Sequence, residues 1–332
     1  MDLIHKYLCY IRDQRRYSVM TVRNYEHAIG MYVAYASDGC ADVKDCDIIS
    51  YMNPSQIRGY MVSLMEDSER KCSPRTVSLH LSALSGFCRY LIKEGMMKTN
   101  PVSLVPKPKM EKRLPSFFRK DAMDEYFKRT QMRGCQFLSD FIAEVQDPQR
   151  RREVYDDCLA RLIISILYNL GVRRAELISL DISSVDFARH VVKITGKGDK
   201  MREIPLPGAL CEEILLYLEA VELMEGRMRS LKEPLLVTFS GRRLYPVYVD
   251  RTVKKELSAE DGAVGRKSPH VLRHSLATGL LDGGADLNSI KELLGHSSLA
   301  ATQVYTHNSV AKLKSIYKSA HPRAKNGGKN GD

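Results

Sequence analysis

The sequence predicts a mainly α-helical protein that contains one small β-hairpin and is divided into two domains. Apolar residues recur at helical spacing along most of the chain, whereas residues 191–206 contain two β-branched runs separated by glycines and an aspartate. Residues 101–115 are rich in proline and lysine and fit neither pattern. A chain of 332 residues is long enough for two domains, so we expect one on each side of this segment.

The first domain, residues 1–100, is predicted to consist of four helices. Ser18 and Ser73 precede two of them and are residues that commonly begin a helix, because the serine hydroxyl accepts a hydrogen bond from an early backbone N–H. The last helix has a regular apolar stripe, which we expect to face the core. The four helices are 3–15, 21–36, 54–65 and 75–93. The stripe consists of Val77, Leu81, Leu84, Cys88 and Leu91.

Residues 101–115 are predicted to be an extended linker that cannot form a helix. Proline lacks a backbone N–H and disrupts a helix interior, and this stretch contains four prolines and four basic residues. One interpretation is a plain tether between domains. Lysines interleaved with prolines also suit a segment that follows a phosphate backbone. We favour both roles together, with Lys107 and Lys109 as contacts to DNA phosphates.

The second domain, residues 116–308, is expected to mix helices with the hairpin. Its charged stretch 147–157 is typical of a solvated helix face or a loop. Arg173 follows an apolar run at 162–170 that has helical spacing, so we expect it at a helix end or turn. Glu176 is placed to pair with an arginine guanidinium and to orient it. The alternative is a surface arginine followed by a helix-capping glutamate.

Lys197 is expected at the turn of the 191–206 hairpin. A lysine on a mobile hairpin can swing its ammonium group into a groove and give a proton to a leaving oxygen. The alternative is a solvated turn lysine, which is the usual role of such a residue. The local sequence Gly-Lys-Gly does not by itself distinguish the two.

His270 and Arg273 are predicted to share one face of a helix, because residues three apart in an α-helix lie side by side. Pro269 suits the first helical turn, and Ser268 suits the N-cap. Imidazole and guanidinium groups can both donate hydrogen bonds to a phosphate. The alternative is a buried, hydrogen-bonded histidine beside a solvated arginine.

Residues 286–294 are predicted to form an amphipathic helix that ends at Gly295, with His296 directly after it. A serine beyond this point can begin a further short helix that ends at Tyr305. A single tyrosine on a helix most often packs into a core. Its spacing relative to the arginines, lysine and histidines described above favours a nucleophilic role instead.

These motifs resemble those of the tyrosine recombinase, or phage integrase, family. Residues 268–307 are similar to its signature region and include the His-x-x-Arg, Leu-Gly-His and Tyr-Thr-His elements. Residues 171–177 and 196–198 match its other two motifs. The similarity extends over nearly the whole chain, from 73–91 in the N-terminal domain to 321–324 near the end. It is greatest to the Xer-type chromosome-dimer recombinases.

The resemblance implies a helical DNA core-binding domain and a mixed α+β catalytic domain that together form a C-shaped clamp around duplex DNA. It also implies an intact site around the scissile phosphate, with Tyr305 as the nucleophile and Glu176 in support. The residues implied to surround the phosphate are Arg173, Lys197, His270, Arg273 and His296.

The chemistry of such a site follows from the charge of a phosphodiester. In-line attack concentrates further charge on the non-bridging oxygens, and Arg173 and Arg273 would supply fixed cationic donors. His270 is the candidate base or orienter for the phenol, Lys197 the candidate acid for the departing 5′-hydroxyl, and His296 a donor to the phosphate. A 3′-phosphotyrosine conserves the phosphodiester energy, so that resealing needs no ATP. We therefore expect neither a cofactor nor a metal ion.

The composition agrees with a partnership with double-stranded DNA. The net charge of +11 and a pI near 9.2 favour a polyanionic partner. The 8 cysteines form no Cys-x-x-Cys pair and no zinc-like spacing, which indicates free thiols in a reducing compartment. The N-terminus lacks a signal peptide and no apolar run could span a bilayer. We expect a cytoplasmic, nucleoid-associated protein without a membrane partner.

Contacts with DNA bases and with other subunits are implied by the resemblance. Arg23, Arg75 and His80 would lie on helices that enter the major groove, although each is as compatible with a phosphate contact or with solvent. An apolar stripe predicts a helix in 309–324, which either covers its own domain or docks on a neighbouring protomer. The assembly would be a homo- or heterotetramer on paired DNA sites. Residues 325–332 are expected to be disordered.

Three classes of function are compatible with the sequence. The first is a site-specific recombinase, with Xer-like chromosome dimer resolution favoured over integration or inversion of a mobile or phase-variable element. A second, non-identical recombinase subunit is one arrangement within this class. The second class is a type IB topoisomerase, which shares the nucleophile and the cationic clamp but reseals the same strand. The third is a non-catalytic DNA-binding protein. The two-domain layout and the terminal helix favour recombination.

Overall fold

A computed structural model describes residues 2–40, 43–66, 71–109, 117–196, 201–258 and 267–295. The chain divides into two units, Met1–Arg113 and Leu114–Asp332, and each has its own hydrophobic core. Helices predominate in both units and the second also contains a small sheet, so the predicted mainly α-helical fold class is confirmed. No helix in the ranges given above is long and apolar enough to cross a membrane.

The first unit is built from helices, and the four predicted ones are all present. They are α1 (Asp2–Cys9), α2 (Val19–Ala36), α4 (Pro54–Glu66) and α5 (Pro74–Lys93), with an additional helix α3 (Asp45–Tyr51). The hydroxyls of Ser18 and Ser73 accept hydrogen bonds from the backbone N–H groups of Thr21 and Thr76, as expected at helix starts. The sequence does not reveal α3, because so short a segment shows little apolar periodicity.

The apolar stripe of α5 faces the core of the first unit. Its five predicted residues are all buried, namely Val77, Leu81, Leu84, Cys88 and Leu91. The rings of Tyr7 and Phe87 lie with their centroids 5.3 Å apart and join α1 to α5. The predicted core face is therefore confirmed.

The start of the predicted linker belongs to the core of the first unit, so the prediction that 101–115 is extended throughout is wrong there. Pro101–Leu104 form a 3-10 helix, and the side chains of Val102 and Val105 are buried in the core. The Asn100 side chain accepts a hydrogen bond from the Val102 N–H at 3.1 Å. Proline is tolerated in the first turn of a helix because the N–H that it lacks would have no helical partner there.

The second unit contains eight α-helices and one antiparallel sheet in the part of the chain that is described. The helices are α6 (Lys120–Arg129), α7 (Leu138–Glu144), α8 (Pro148–Leu170), α9 (Arg174–Ser179), α10 (Gly208–Glu225), α11 (Pro246–Glu256), α12 (Pro269–Asp282) and α13 (Leu287–Leu294). The predicted helices at 162–170 and 286–294 correspond to the end of α8 and to α13, and both are confirmed. The charged stretch 147–157 forms the largely exposed start of α8, so it is a helix face and not a loop.

The sheet has the strand order β1 (Val185–Asp186), β2 (Val191–Thr195), β3 (Met201–Pro205). Val191 pairs with Pro205 and Thr195 with Met201, so the predicted hairpin is confirmed. The two-residue edge strand β1 is too short for the sequence pattern to reveal. The turn that includes Lys197 lies outside the described residues.

The end of α8 is packed closely against two other helices. The helix ends at Gly171, whose φ of +60° lies in the left-handed region that favours glycine. A Cβ at this position would lie 2.7 Å from Leu294 Cδ2 and 2.8 Å from Leu276 Cδ2. Glycine thus allows α12 and α13 to approach the end of α8, two residues before Arg173.

The cysteines are all free thiols. Four of them are buried, namely Cys88, Cys135, Cys158 and Cys211, and the other four are at least partly exposed. Within the described ranges, no group of three or more histidine, cysteine, aspartate or glutamate side chains could hold a metal ion.

Candidate active site

Arg173 occupies the N-cap of α9, directly after the turn that ends α8. Its backbone is extended, with φ −72° and ψ 154°. The Arg173 backbone N–H donates to Glu176 Oε2 at 2.7 Å, and its Nη1 donates to Glu176 Oε1 at 2.7 Å. The predicted pairing of Glu176 with an arginine guanidinium is therefore confirmed. The Arg173 side chain is 35% exposed, so a ligand can reach it.

Arg273 lies inside the second unit, whereas His270 lies on its surface. Both are on α12, with Pro269 in the first turn as predicted. Arg273 is 5% exposed; its Nη1 donates to the carbonyl of Gly171 at 2.5 Å and its Nη2 to the carbonyl of Leu294. The alternative of a buried histidine beside a solvated arginine is wrong. The reverse holds because the ends of two helices offer Arg273 carbonyl acceptors.

A third arginine, which the sequence reasoning missed, completes the cluster. Arg202 on β3 is 6% exposed and donates to both Glu176 oxygens, from Nη1 to Oε1 at 3.0 Å and from Nη2 to Oε2 at 2.8 Å. Its Nε donates to the carbonyl of Leu293 at 3.2 Å. The strand contained a signal for this position. Arg202 and Ile204 are two residues apart. Because alternate residues of a strand face the same side of the sheet, Arg202 is expected on the same side as the apolar Ile204.

The three arginines bind three successive carbonyl groups at the C-terminal end of α13. The pairs are Arg202 with Leu293, Arg273 with Leu294, and Arg173 with Gly295 at 2.8 Å. The last carbonyls of a helix have no partner within it and carry the negative end of the helix dipole. The end of α13 therefore gathers three guanidinium groups around one carboxylate, which leaves an excess of positive charge.

Burial and ion pairing act on the pKa values of this cluster in different ways. Burial by itself would raise the pKa of Glu176, but the hydrogen bonds from Arg202 and Arg173 outweigh it and lower the pKa to about 2. Burial lowers the pKa of Arg273 to about 10, and the neighbouring charge of Arg173 acts in the same direction. Both groups are therefore charged at neutral pH.

Arg173 and Arg273 have hydrogen-bond donors that no described residue occupies. A guanidinium group has five N–H donors. Within the described residues, Arg173 uses two side-chain donors, for Glu176 and Gly295, and Arg273 uses two, for Gly171 and Leu294. Three donors on each have no partner among these residues. The carbonyl groups orient the two guanidinium groups but do not occupy all of their N–H donors. The accumulated positive charge favours an anionic ligand.

The structure brings together three of the predicted site residues, Arg173, Glu176 and Arg273. His270 is not joined to them by any hydrogen bond in the described part of the chain; it lies one turn earlier on α12 with an exposed side chain. Several predictions fall outside the described residues, namely Lys197, His296, Tyr305 and the segments 299–305, 309–324 and 325–332.

Four of the five predicted DNA-contacting residues have exposed side chains. Arg23 lies on α2 and Arg75 on α5, while Lys107 and Lys109 follow the 3-10 helix at the end of the first unit. Exposure is compatible with a DNA contact, which stays a prediction for each of them. Residues 110–116, the rest of the predicted linker, lie outside the described residues.

His80 is buried, which argues against its predicted contact with DNA. The side chain is 4% exposed, and its Nδ1 shares a hydrogen bond of 2.8 Å with the hydroxyl of Tyr60. Burial lowers the pKa of His80, and His27 contributes in the same direction. The sequence contained the signal, because His80 lies three residues after Val77 and four before Leu84, on the apolar face of α5.

Comparison with known proteins decides between the classes of function. A sequence model of the Phage integrase family matches residues 142–312, more than half of the chain. The chain belongs to the phage integrase family. A second model, described as the N-terminal SAM-like domain of phage integrases, matches residues 4–95.

Curated relatives within the phage integrase family are similar over nearly their full length. The chain is 34% identical over 325 residues to tyrosine recombinase XerC of Bacillus pumilus, covering 97% of each protein. It is 31% identical over 334 residues to tyrosine recombinase XerC of Chlorobaculum parvum, covering 97% of this chain and 94% of the relative. The predicted resemblance to Xer-type tyrosine recombinases is confirmed.

Solved structures of integrase-family proteins share the fold. The XerH site-specific recombinase bound to a palindromic difH substrate matches with a TM-score of 0.62 and 20% identity, covering 92% of this chain and 81% of that one. A lambda integrase dimer bound to a COC′ core site matches with a TM-score of 0.57 and 16% identity, covering 100% and 97%. At these identities the likeness concerns the fold alone.

Membership of the phage integrase family establishes the type of reaction. The protein is a site-specific tyrosine recombinase that binds DNA, cleaves it and rejoins it. This result favours the first of the three classes of function over a type IB topoisomerase or a non-catalytic DNA-binding protein.

Proposed function

We propose that this recombinase resolves dimers of a circular chromosome and cleaves DNA through a 3′-phosphotyrosine on Tyr305. The observation that carries the proposal is the convergence of Arg173 and Arg273 on the end of α13, directly before His296 in the sequence. The names of the XerC relatives support the biological role, because the Xer-type recombinases that the sequence resembles act on chromosome dimers.

In the proposed reaction the phenol oxygen of Tyr305 attacks phosphorus in line with the leaving 5′-oxygen. A bond forms between the phenol oxygen and phosphorus as the bond between phosphorus and the 5′-oxygen breaks. His270 accepts or orients the phenol proton, and Lys197 gives a proton to the 5′-oxygen. Attack by the 5′-hydroxyl of a second strand reverses these steps, which frees Tyr305 and joins the exchanged strands without ATP.

The phosphate is stabilised during attack by Arg173, Arg273 and His296. Its non-bridging oxygens carry more negative charge in the transition state than before attack, so donors that are already fixed in direction lower the barrier. Glu176 orients the guanidinium of Arg173, and the carbonyls at the ends of α8 and α13 orient that of Arg273.

Covalent trapping in cells tests this proposal. Cells of the source organism that express the protein are lysed under denaturing conditions, and the DNA attached to the protein is sequenced. We expect adducts at one locus opposite the replication origin, and none with Tyr305→Phe, which lacks the attacking oxygen. Adducts at inverted repeats that flank promoters, or at the ends of a mobile element, would identify an invertase or integrase instead. The complete absence of adducts would refute the phosphotyrosine intermediate.

The proposal extends to the assembly on DNA. Residues 1–100 would bind the core of the recombination site, 101–115 would link the domains, and 116–308 would catalyse the reaction. Residues 309–324 would dock on a neighbouring protomer in a homo- or heterotetramer, in which a second recombinase is one arrangement. Such a protein would act in the cytoplasm, at the nucleoid.

A further inference from the structure

Arg202 contacts both the carboxylate that orients Arg173 and the end of the helix that precedes His296. We propose that Arg202 is a positioning residue for DNA cleavage, which fixes Glu176 and the C-terminal end of α13 in the arrangement that Arg173 needs to bind phosphate. The inference rests on the proposed recombinase reaction and adds a residue that the motifs of the sequence do not include.

The first support is the sharing of the Glu176 carboxylate. Oε1 accepts from Nη1 of Arg173 and from Nη1 of Arg202, while Oε2 accepts from the backbone of Arg173 and from Nη2 of Arg202. Each oxygen is therefore bound by both arginines at once. Without Arg202, the carboxylate could rotate about its own side chain and no longer define the direction of the Arg173 guanidinium.

The second support is the contact between Arg202 and the end of α13. Its Nε donates to the carbonyl of Leu293, the first of the three carbonyls that the arginines bind. Gly295, with φ +65°, passes so close that a Cβ there would lie 3.3 Å from Cδ, Nε and Nη1 of Arg202. Arg202 therefore helps to define where the chain leaves α13, immediately before His296.

The shape of the side chain explains why the position requires arginine. The planar guanidinium offers Nε, Nη1 and Nη2 in one fork, and Arg202 uses all three, two for Glu176 and one for Leu293. A lysine ammonium at the same place keeps the charge but cannot reach both acceptors in fixed directions. Because Nε, Nη1 and Nη2 of Arg202 are all bound to protein acceptors, its role is assigned through Glu176 and α13 and not through contact with DNA.

Substitution of Arg202 tests the inference. The substrate for these measurements is the DNA duplex recovered by covalent trapping. The variants are Arg202→Gln and Arg202→Lys, and the matched control is Arg243→Gln. Arg243 also donates to a backbone carbonyl and to a carboxylate, those of Ile178 at 2.8 Å and Asp181 at 2.6 Å, and its hydrogen bonds in the described residues include neither Glu176 nor α13. Single-turnover cleavage, DNA affinity and thermal unfolding are measured for each protein.

We expect Arg202→Gln to cleave about 100-fold more slowly than the wild type, because a small misplacement of the groups that bind the reacting phosphate has an effect of this size. DNA affinity should be unchanged. Arg202→Lys should cleave at an intermediate rate, and Arg243→Gln should cleave like the wild type.

A pH profile separates positioning from a general loss of stability. The charged groups that face Glu176 in the described residues are Arg173 and Arg202 in contact and Arg273 nearby. In the wild type the pKa of Glu176 is about 2, so cleavage does not depend on its protonation at ordinary pH. In Arg202→Gln the pKa of Glu176 rises. The cleavage rate of this variant should therefore decline as the pH falls below about 5, where a carboxyl group with an unshifted or raised pKa takes up a proton.

Two results would overturn the inference. One is cleavage by Arg202→Gln at the rate of Arg243→Gln throughout the pH range. The other is the absence of cooperative unfolding in both Arg202 variants, which would make this arginine a residue required only for folding. Failure of the wild type to form any covalent adduct is a different outcome, because it refutes the proposed reaction itself.

Discussion

At the scale of single residues, the candidate site depends on a buried carboxylate that stays ionised. Burial disfavours the charged form of Glu176, yet its two oxygens accept four hydrogen bonds from Arg173 and Arg202, and its pKa falls to about 2. Removing one partner of such a buried pair strongly destabilises the fold, because the other charge remains without compensation. The residue that orients the site is thus also one that stabilises the fold.

The low pKa of Glu176 predicts a pH-dependent contribution to stability. The folded pKa of about 2 lies below the ordinary value of 4.5, so the stabilisation is present above pH 4.5 and is lost as the pH falls toward 2. We expect Glu176→Gln to lower the free energy of unfolding by about 3 kcal/mol at neutral pH, since one pKa unit corresponds to about 1.4 kcal/mol. Urea unfolding between pH 7 and pH 3 should show the difference from the wild type shrinking in acid.

Glu233→Gln is the matched control for that experiment. The pKa of Glu233 is also lowered to about 2, first by Arg227 and then by the backbone of Ser230, but this carboxylate is at the surface. Solvent and salt screen such a pair. The control should therefore lose less stability than Glu176→Gln, and equal losses would contradict the importance of burial.

At the scale of secondary-structure elements, the site is assembled from helix ends. The C-terminal ends of α8 and α13 offer carbonyl groups, the N-terminal turn of α9 carries Arg173, and β3 carries Arg202. Backbone groups at helix ends lack partners within their own helix, and they accept hydrogen bonds from arginine side chains here. The close approach of these ends depends on Gly171, which has no side chain to separate them.

Gly171→Ala should therefore destabilise the protein more than the same change at another helix end. Gly226, which ends α10, has a similar φ of +65° but no atom within 4 Å of the position of a Cβ. We expect Gly226→Ala to cost about 1 kcal/mol for the left-handed backbone. Gly171→Ala should cost about 3 kcal/mol, because its methyl group also overpacks against Leu276 and Leu294.

Urea unfolding of both glycine variants distinguishes backbone strain from packing. The difference between the two losses of stability measures the contacts with Leu276 and Leu294, since both positions share the strained backbone. Equal losses would mean that these leucine side chains move aside without cost, and that glycine is required at 171 for its backbone conformation alone.

At the scale of the whole molecule, positive charge is present well beyond the candidate site. The net charge is +11, and the cluster of arginines near α13 accounts for only a small part of it. Binding to a duplex releases counterions from the phosphates that the protein neutralises, so affinity falls as salt rises. The exposed arginines of α2 and α5 are candidates for such contacts in the first unit.

The salt dependence of DNA binding tests these candidates. Arg23→Gln and Arg75→Gln should each reduce the slope of log affinity against log salt concentration by about 0.9, the value expected for one phosphate contact. His80→Gln is the control, because His80 is buried and its lowered pKa leaves it neutral at pH 7. An unchanged slope in both arginine variants would show that these side chains do not contact phosphates.

Much of this architecture could be predicted from local sequence. The stripe of α5, the end of α8, α13, the hairpin and the pairing of Arg173 with Glu176 all involve residues close together in the chain, where periodicity and spacing carry the information. The burial of His80 and the 3-10 helix that contradicts an extended linker at Pro101 also reflect local signals. His80 lies on the apolar face of α5, and proline is tolerated at the start of a helix.

The sequence by itself determined the family and the type of reaction, because the motif residues of a tyrosine recombinase can be recognised in order along the chain. Only the tertiary structure decided that Arg273 is buried while His270 is exposed, and that Arg202 joins the cluster. Arg202 lies 26 residues from Glu176 and 91 from Leu293 along the chain. The alternation of β3 indicates which side of the strand Arg202 faces, but it does not encode these partners, since the packing of β3 against α9 and α13 determines which acceptors a buried guanidinium meets.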